Sequence, residues 1–549
     1  MNSALLAGVS GLQACQKMLD VAGNNLANVN TNSFKSSRVV FSDVLGETLR
    51  EASAPTATSG GTNPVQTGAG VRVAGVDRNM QQGTIVDTGQ PLDMAIDGNG
   101  YFVLNDGRES VYTRVGSFAV DSQNYLVDPS TGFRVQRTGS EGVADGFQSG
   151  TSTDIQIPYG KALPAQATSS VTLAGNLSGD AVEETTAVLT GGTQYKAGGV
   201  VASGATLLKD LDGVATLTAG DKINITGSAA DGTAVNVSYT IADPTIATVG
   251  DLLAAINGAF TGSTATMSNG ELTLTDNAAG YSQTDISLSY TGAGSFTMPP
   301  YFKMTSVGGE ANKNVDIGVY DSQGTLHTAS ASFVKTKTPN EWDLVLTSVT
   351  GDVANIVDRR IKGLTFLTNG AFGGIGGASP DKSSLTITFG NEPTTPREVQ
   401  FKLGTVGESD GLSQFGGGFT VAPNGQDGYA AGWLSDVSVN QNGVLTGVFT
   451  NGVRRDLAAL QIATFQNPAG LSSTGNNYFT TSTNSGDPTI SKAQAGSAGS
   501  LRGGALEKSN VEMAIEFVNL IEAQSGFQAN ATTIRTTSEM LQQLSNLIR

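Results

Sequence analysis

Leu5, Leu12, Leu19 and Leu26 recur at seven-residue intervals near the start of the chain, with Val9 and Ala22 on the same stripe. At the far end Ile534, Leu541, Leu544 and Ile548 form a comparable seam, continuing from Val511, Ile515, Val518 and Ile521. A seven-residue apolar repeat needs a partner helix, because the stripe cannot be buried alone. Two such stripes at opposite ends of one chain find their simplest partners in each other and in copies of themselves. That predicts an assembly protein with α-helical coiled-coil termini.

Between the ends the pattern is β. The chain has 549 residues, 71 of them glycine. Apolar residues make up 38%, enough for several packed domains and too many for a disordered chain. The net charge of −17 argues against nucleic acid and against an anionic membrane surface as partners. Residues 181–300 carry eleven acidic residues and three lysines, so this segment is expected to face outward. No apolar run is long enough to span a membrane. The N-terminus lacks the basic and apolar regions of a cleavable secretory signal, so export is expected by another route. The single cysteine, Cys15, permits no internal disulfide and is expected to be a small buried hydrophobe.

Residues 3–29 read as the first helix. Gly8, Gly11 and Gly23 weaken it by about 1 kcal/mol each relative to alanine while permitting close helix approach. Order is therefore expected to come with assembly. Residues 31–70 read as an extended connector. Short strands are expected at 71–76, 95–96, 101–104, 315–320, 331–334, 342–346, 437–439 and 444–450. Hairpin turns are expected at Asp97-Gly98-Asn99-Gly100, Asn105-Asp106-Gly107 and Ser268-Asn269-Gly270. Thr248 and Asp251 predict a capped helix with Leu252, Leu253 and Ile256 inward, and Ser509 with Glu512 predicts a second capping box. From there to Arg549 a helix would reach roughly 55–60 Å. The flanks of both terminal helices are rich in neutral polar residues, among them Gln13, Gln16, Gln524 and Gln528. Such faces suit either a water-filled lumen or amide-bonded subunit packing.

Residue chemistry points away from catalysis. His327 and Cys15 are each unique and far apart in sequence, which makes no metal cluster or nucleophile–base pair. His327 is expected on a strand surface. Asp97-Gly-Asn99-Gly lacks the later oxygen ligands of a calcium loop. Asp93 and Asp97 sit beside turn sequences, where carboxylates are common without being catalytic. No phosphate-binding glycine motif occurs.

The segment Asn24-Asn25-Leu26-Ala27-Asn28, followed by Thr31, Phe34 and Lys35, resembles the N-terminal signature of the bacterial flagellar rod and hook proteins. This chain has Ser33 where that pattern has glycine before the aromatic. Leu92 to Phe102, Tyr112 to Phe118, Val319 to Gly324 with Trp342, Leu412 to Phe415, Asp427-Gly428-Tyr429, Phe465 to Leu471 and Leu506 to Asn530 continue the likeness, over about three quarters of the chain. Residues 181–300 lie outside it and are only loosely similar to modules of flagellins and filament-cap proteins.

The resemblance implies a mainly β fold of discontinuous, nested sandwich- or barrel-like domains on a two-helix base. Its expected parts are 1–30 with 505–549 as the polymerising helices and 71–148 with 416–500 as an inner β-domain. Residues 149–180 with 301–415 would form an outer β-domain, and 181–300 an inserted one. It implies a structural subunit of the flagellar hook: a flexible, hollow universal joint that transmits torque and passes exported subunits through its lumen. It implies no enzyme and no cofactor. The implied partners are copies of the chain, the distal rod protein, the hook–filament junction proteins, a cap or scaffold protein, a length-control protein and the export apparatus. Glycine-rich joints at 68–70 and 503–504 are expected hinges. A distal rod subunit and a surface adhesin are the alternatives.

Overall fold

In a computed structural model, described over residues 2–180, 184–376 and 383–547, the chain divides into two units, 1–162 with 433–549 and 163–432. The first unit is therefore built from two separated segments, and several of its sheets join strands from both.

In the first unit, helix α1 spans Asn2–Ala27. The segment expected as an extended connector is instead β-structure. Ser37–Asp43 pairs antiparallel with Val71–Arg78, and Glu47–Arg50 pairs with Val65–Thr67. The reason is alternation: Val39, Phe41, Val71, Val73 and their neighbours follow the strand period, and an extended segment beside a returning partner satisfies its backbone by pairing. Beyond this hairpin, Tyr101–Asn105 pairs on one side with Ser110–Thr113 and on the other with Ile462–Thr464 from the return pass. Tyr101, Val103, Tyr112, Ala463 and Phe479 form the core of that sheet. The Asn105-Asp106-Gly107 turn is a hairpin, with Asp106 accepting from the amides of Arg108 and Glu109. The turn at 97–100 is not. It carries the chain from Met94–Asp97, paired with Ser500–Gly503, into a different sheet.

In the second unit, five antiparallel strands run in the order Glu310–Tyr320, Leu326–Lys335, Glu341–Val349, Arg360–Phe366 and Phe372–Ile375. They pack on a sheet in which Ser170–Ser178 runs parallel to Arg397–Lys402 and Leu412–Phe415 and antiparallel to Ala422–Gln426. Trp342, Phe333, Phe389 and Leu173 lie in the core between them. Residues 416–432 thus belong to this unit rather than to the inner β-domain. Residues 149–162 belong to the first unit, where Asp154 and Gln156 bridge to Gln136 and Tyr125.

The 184–300 module has its own core around Ile223, Ile225, Phe260 and Leu274, into which Val334 and Val345 of the adjoining sheet also project. Helix α2, Val249–Ala259, begins with the expected capping box: Thr248 Oγ1 accepts from Asp251 N at 3.2 Å and Asp251 Oδ2 accepts from Thr248 N at 2.8 Å. Val249, Leu252 and Ile256 are buried. The hairpin at Asn269-Gly270 forms as expected, both residues taking positive φ.

In this module Asp221 accepts hydrogen bonds from Tyr290, Thr218 and the Ala293 amide, which hold its carboxyl down at about 2. A depressed folded value means stability present above the unfolded value of about 3.9 and lost as pH falls through the folded one. The melting-temperature gap between wild type and Asp221→Asn is expected to be full at pH 6 and to shrink between pH 4 and pH 2, as read by calorimetry.

Candidate functional site: the terminal helices and their anchorage

Helix α3 spans Met513–Leu547 and packs antiparallel on α1. Small residues carry the contact. A methyl group placed on Gly8 would come within 3.0 Å of the Ile534 side chain, on Gly11 within 2.8 Å of the Asn530 carboxamide, and on Gly526 within 2.8 Å of Cys15 Sγ. Two of the three glycines expected to weaken α1, Gly8 and Gly11, therefore lie where the two helices approach closely, whereas Gly23 is exposed and a methyl group there would meet nothing within 4 Å. Replacing Gly11 with leucine is expected to cost about 1–3 kcal/mol by overpacking, measurable as a lower denaturation midpoint.

This seam corrects the sequence reading. Within the chain the apolar stripes are buried only in part, Ala22 of α1 fully, with much of the α3 stripe left exposed. Leu5, Leu12, Leu19 and Leu26 are half-buried and Val9 is exposed. On α3 Ile515, Val518 and Ile521 are 53%, 54% and 63% exposed, and Leu541 and Leu544 are exposed as well. Ile534 is half-buried against Gly8; Val511 is buried but precedes the helix; Ile548 lies outside the described residues. The face that allows the closest backbone approach is turned inward, which leaves the bulky stripe outward. Apolar residues of the 37–78 hairpin are exposed too, Leu45 most of all. Large exposed apolar surface of this kind marks an interaction face.

The helices are fastened to the β-structure by polar groups, several of them in the signature segment. Asn25, 1% exposed, donates to Ser37 O at 2.7 Å and to Glu516 Oε1 at 2.9 Å, and accepts from Ser37 N at 3.0 Å. Asn24, Asn28 and Thr31 bond among themselves as α1 ends. Ala27 closes that helix, and Phe34 N bonds back to Thr31 O. Ser33 takes the left-handed conformation expected of the family's glycine, at φ 56°. Its backbone amide donates to Glu507 O at 2.9 Å and its hydroxyl to Arg114 O at 2.8 Å, which holds it there.

Lys35 Nζ lies 2.6 Å from Glu507 Oε1, Arg114 Nη1 3.3 Å from Glu507 Oε2, and the Gly83 amide 2.8 Å from Oε1. All three charged side chains are almost completely buried. Burial pushes the Lys35 ammonium below its usual value, against the upward pull of Glu507. Sequence reasoning found Lys35 but missed Glu507 and Arg114 as its partners, because nothing local links positions so far apart.

The Ser509 capping box does not form. The Ser509 hydroxyl accepts from Val511 N, and the helix starts at Met513. Asn510 instead takes the staple role, accepting from Ser36 N at 2.8 Å and donating to Asn79 O at 2.9 Å and Gln81 O at 3.0 Å. Gly503-Gly504 and Gly70 are held in place, whereas a methyl group on Gly68 would meet nothing within 4 Å. Gly503-Gly504 is flanked by paired strands on both sides, and Gly504 N donates to Asp93 O at 2.7 Å. Gly70, at φ 109°, lies against α1, where a methyl group would sit 3.0 Å from Ala7 Cα.

His327 is buried rather than on a strand surface. Its Nδ1 is 2.8 Å from Thr350 O and its Nε2 3.4 Å from Asp321, with the ring against Phe389, because its position on Leu326–Lys335 faces the core. Cys15 is half-buried at the helix seam. Thr88 donates to Asp93 and Gln82 to Asp97, so those two carboxylates serve local turns. Among the described residues no cluster of three or more His, Cys, Asp or Glu is placed to hold a metal, and no helix is long and apolar enough to cross a membrane.

Known families match in the order of this architecture. Residues 5–35 match the flagella basal body rod protein family and 95–178 the flagellar hook protein FlgE/F/G D1 domain. Residues 297–429 match the flagellar basal body protein FlaE D2 domain, and 502–547 the flagellar basal body rod FlgEFG protein C-terminal region. The flagellar hook protein FlgE of Borreliella burgdorferi is 31% identical over 552 residues, covering all of both chains. That of Treponema pallidum is 31% identical over 560 residues, again covering all of both. The crystal structure of Helicobacter pylori flagellar hook protein FlgE2 covers 77% of this chain and 100% of its own at 17% identity, with a TM-score of 0.42. With end-to-end relatives above 30% identity, the chain belongs to the flagellar hook protein FlgE family.

Proposed function

We propose that the chain polymerises into the flagellar hook through the outward apolar faces of α1 and α3, as a structural subunit and not an enzyme. The observation that carries this reading is the exposure of Ile515, Val518 and Ile521 on a helix whose inner face is already satisfied by α1. Fully burying such a side chain yields about 1.5–3 kcal/mol. Copies packed by these faces form the inner tube, and the polar flanks rich in glutamine and asparagine line its lumen, through which exported subunits pass. The β-blocks form the middle and outer shells. Their smaller polar contacts slide as each subunit shortens and lengthens once per turn, which lets a closed tube bend while carrying torque. The 184–300 module projects outermost, in keeping with its acidic composition.

The partners beyond copies of itself are the distal rod protein below, the hook–filament junction proteins above, a cap protein during growth, and the length-control protein and export apparatus. Antibody raised to residues 184–300 tests the placement by electron microscopy of intact flagella. Label confined to the short curved segment between cell body and filament is expected. Label along the filament, or on the cell surface away from flagella, contradicts it.

A further inference from the structure

The buried charges at the base of the helices do not balance. Lys35 and Arg114 face one carboxylate, Glu507; Lys35 Nζ also donates to Gln81 O, Arg114 Nη1 to Ile96 O and Arg114 Nη2 to Gly98 O. Arg114 Nε is buried with no hydrogen-bond partner among the described residues. Arg114 also lines a cavity of about 270 Å³, together with Tyr101, over whose ring its guanidinium lies at 5.5 Å. No aspartate or glutamate lines that cavity. In a chain with 48 acidic residues against 31 basic ones, a cavity with a cationic floor and no carboxylate is unusual. Its mouth carries donors. The Asn99 and Gln466 carboxamides there make no hydrogen bond among the described residues, and Ser497 bonds only to Thr464, at 3.3 Å. A buried cation excess is costly unless it is neutralised or hydrogen-bonded.

We infer that this cavity binds an oxyanion of carboxylate or phosphate size, held by the Arg114 side of the floor and the Asn99 and Gln466 amides at the mouth. The two groups work differently. The guanidinium supplies charge in a setting of low dielectric, where each charge-assisted hydrogen bond is strong. The amides supply orientation. The anion comes either free from solution or as an acidic side chain of a neighbouring subunit. Only the second source rests on the assembly reading above.

The test uses the full-length monomer. Sodium phosphate or sodium acetate is compared with sodium chloride at matched ionic strength, and thermal unfolding is followed. Wild type is expected to melt about 2–4 °C higher with the oxyanion, as a ligand bound well above its dissociation constant would give for a unit of this size. Asn99→Asp with Gln466→Glu puts negative charge on exposed mouth residues, spares the buried cluster, and is expected to abolish the difference. Equal shifts in wild type and the double variant mean general salt effects and overturn the site, as does no shift in either. Repeating the comparison on assembled hooks separates the sources. A persisting shift means a free anion, and a shift lost on assembly means that a neighbour's carboxylate has filled the cavity.

Discussion

Cells carrying Ile515→Asp and Ile521→Asp together are expected to make no hooks, although the protein is produced and folded. Both side chains are more than half exposed in the single chain, so aspartate there breaks no intramolecular packing. Its circular dichroism and melting temperature should match wild type within the small range typical of surface substitutions. On the packing proposed above, the same positions are buried against a neighbour in the polymer. Losing two isoleucines removes about 4 kcal/mol of burial, and two unpaired carboxylates add a desolvation cost of several kcal/mol more. Since about 1.4 kcal/mol is tenfold in an equilibrium, even the first term raises the assembly concentration about a thousandfold. Normal hooks from this variant would place the polymerising surface elsewhere.

The second large effect lies at the buried ion cluster. Glu507→Ala is expected to destabilise the first unit by about 3–5 kcal/mol, because it strands two buried cations. Lys35→Met is expected to cost clearly less. It leaves a one-to-one pair between Arg114 and Glu507, and it frees only the Gln81 carbonyl, which Asn510 still contacts at 3.0 Å. The asymmetry is the informative part: the lone anion matters more than either cation. Urea unfolding of the two variants measures it, with tyrosine fluorescence as one probe and circular dichroism as another. Equal losses would mean that the cluster acts as separate pairs.

The sequence made some of this legible and hid the rest for physical reasons. Helix α2 was readable because its start and its apolar face are written within a dozen residues: Thr248 and Asp251, then Leu252 and Ile256. The heptads showed that the ends are helical and need partners. They did not show which face is used inside one chain, because glycine and asparagine carry that seam, and small residues leave no hydrophobic signal. The 37–78 hairpin was missed because its two strands are separated by a long Ser-, Thr- and Gly-rich stretch that reads as linker. Ser33 kept the family's turn because two hydrogen bonds to distant residues hold a backbone that serine alone would avoid. The same distance hid Glu507, whose partners belong to the outgoing pass of the chain while it belongs to the return.

One measurement bears most directly on the outward helix faces as the polymerising surface. In a Cys15→Ser background, a single cysteine at position 521 is treated with maleimide in the free monomer and in assembled hooks. The account predicts fast labelling of the monomer, where Ile521 is 63% exposed, and strong protection in the hook. Equal labelling in both states would contradict it.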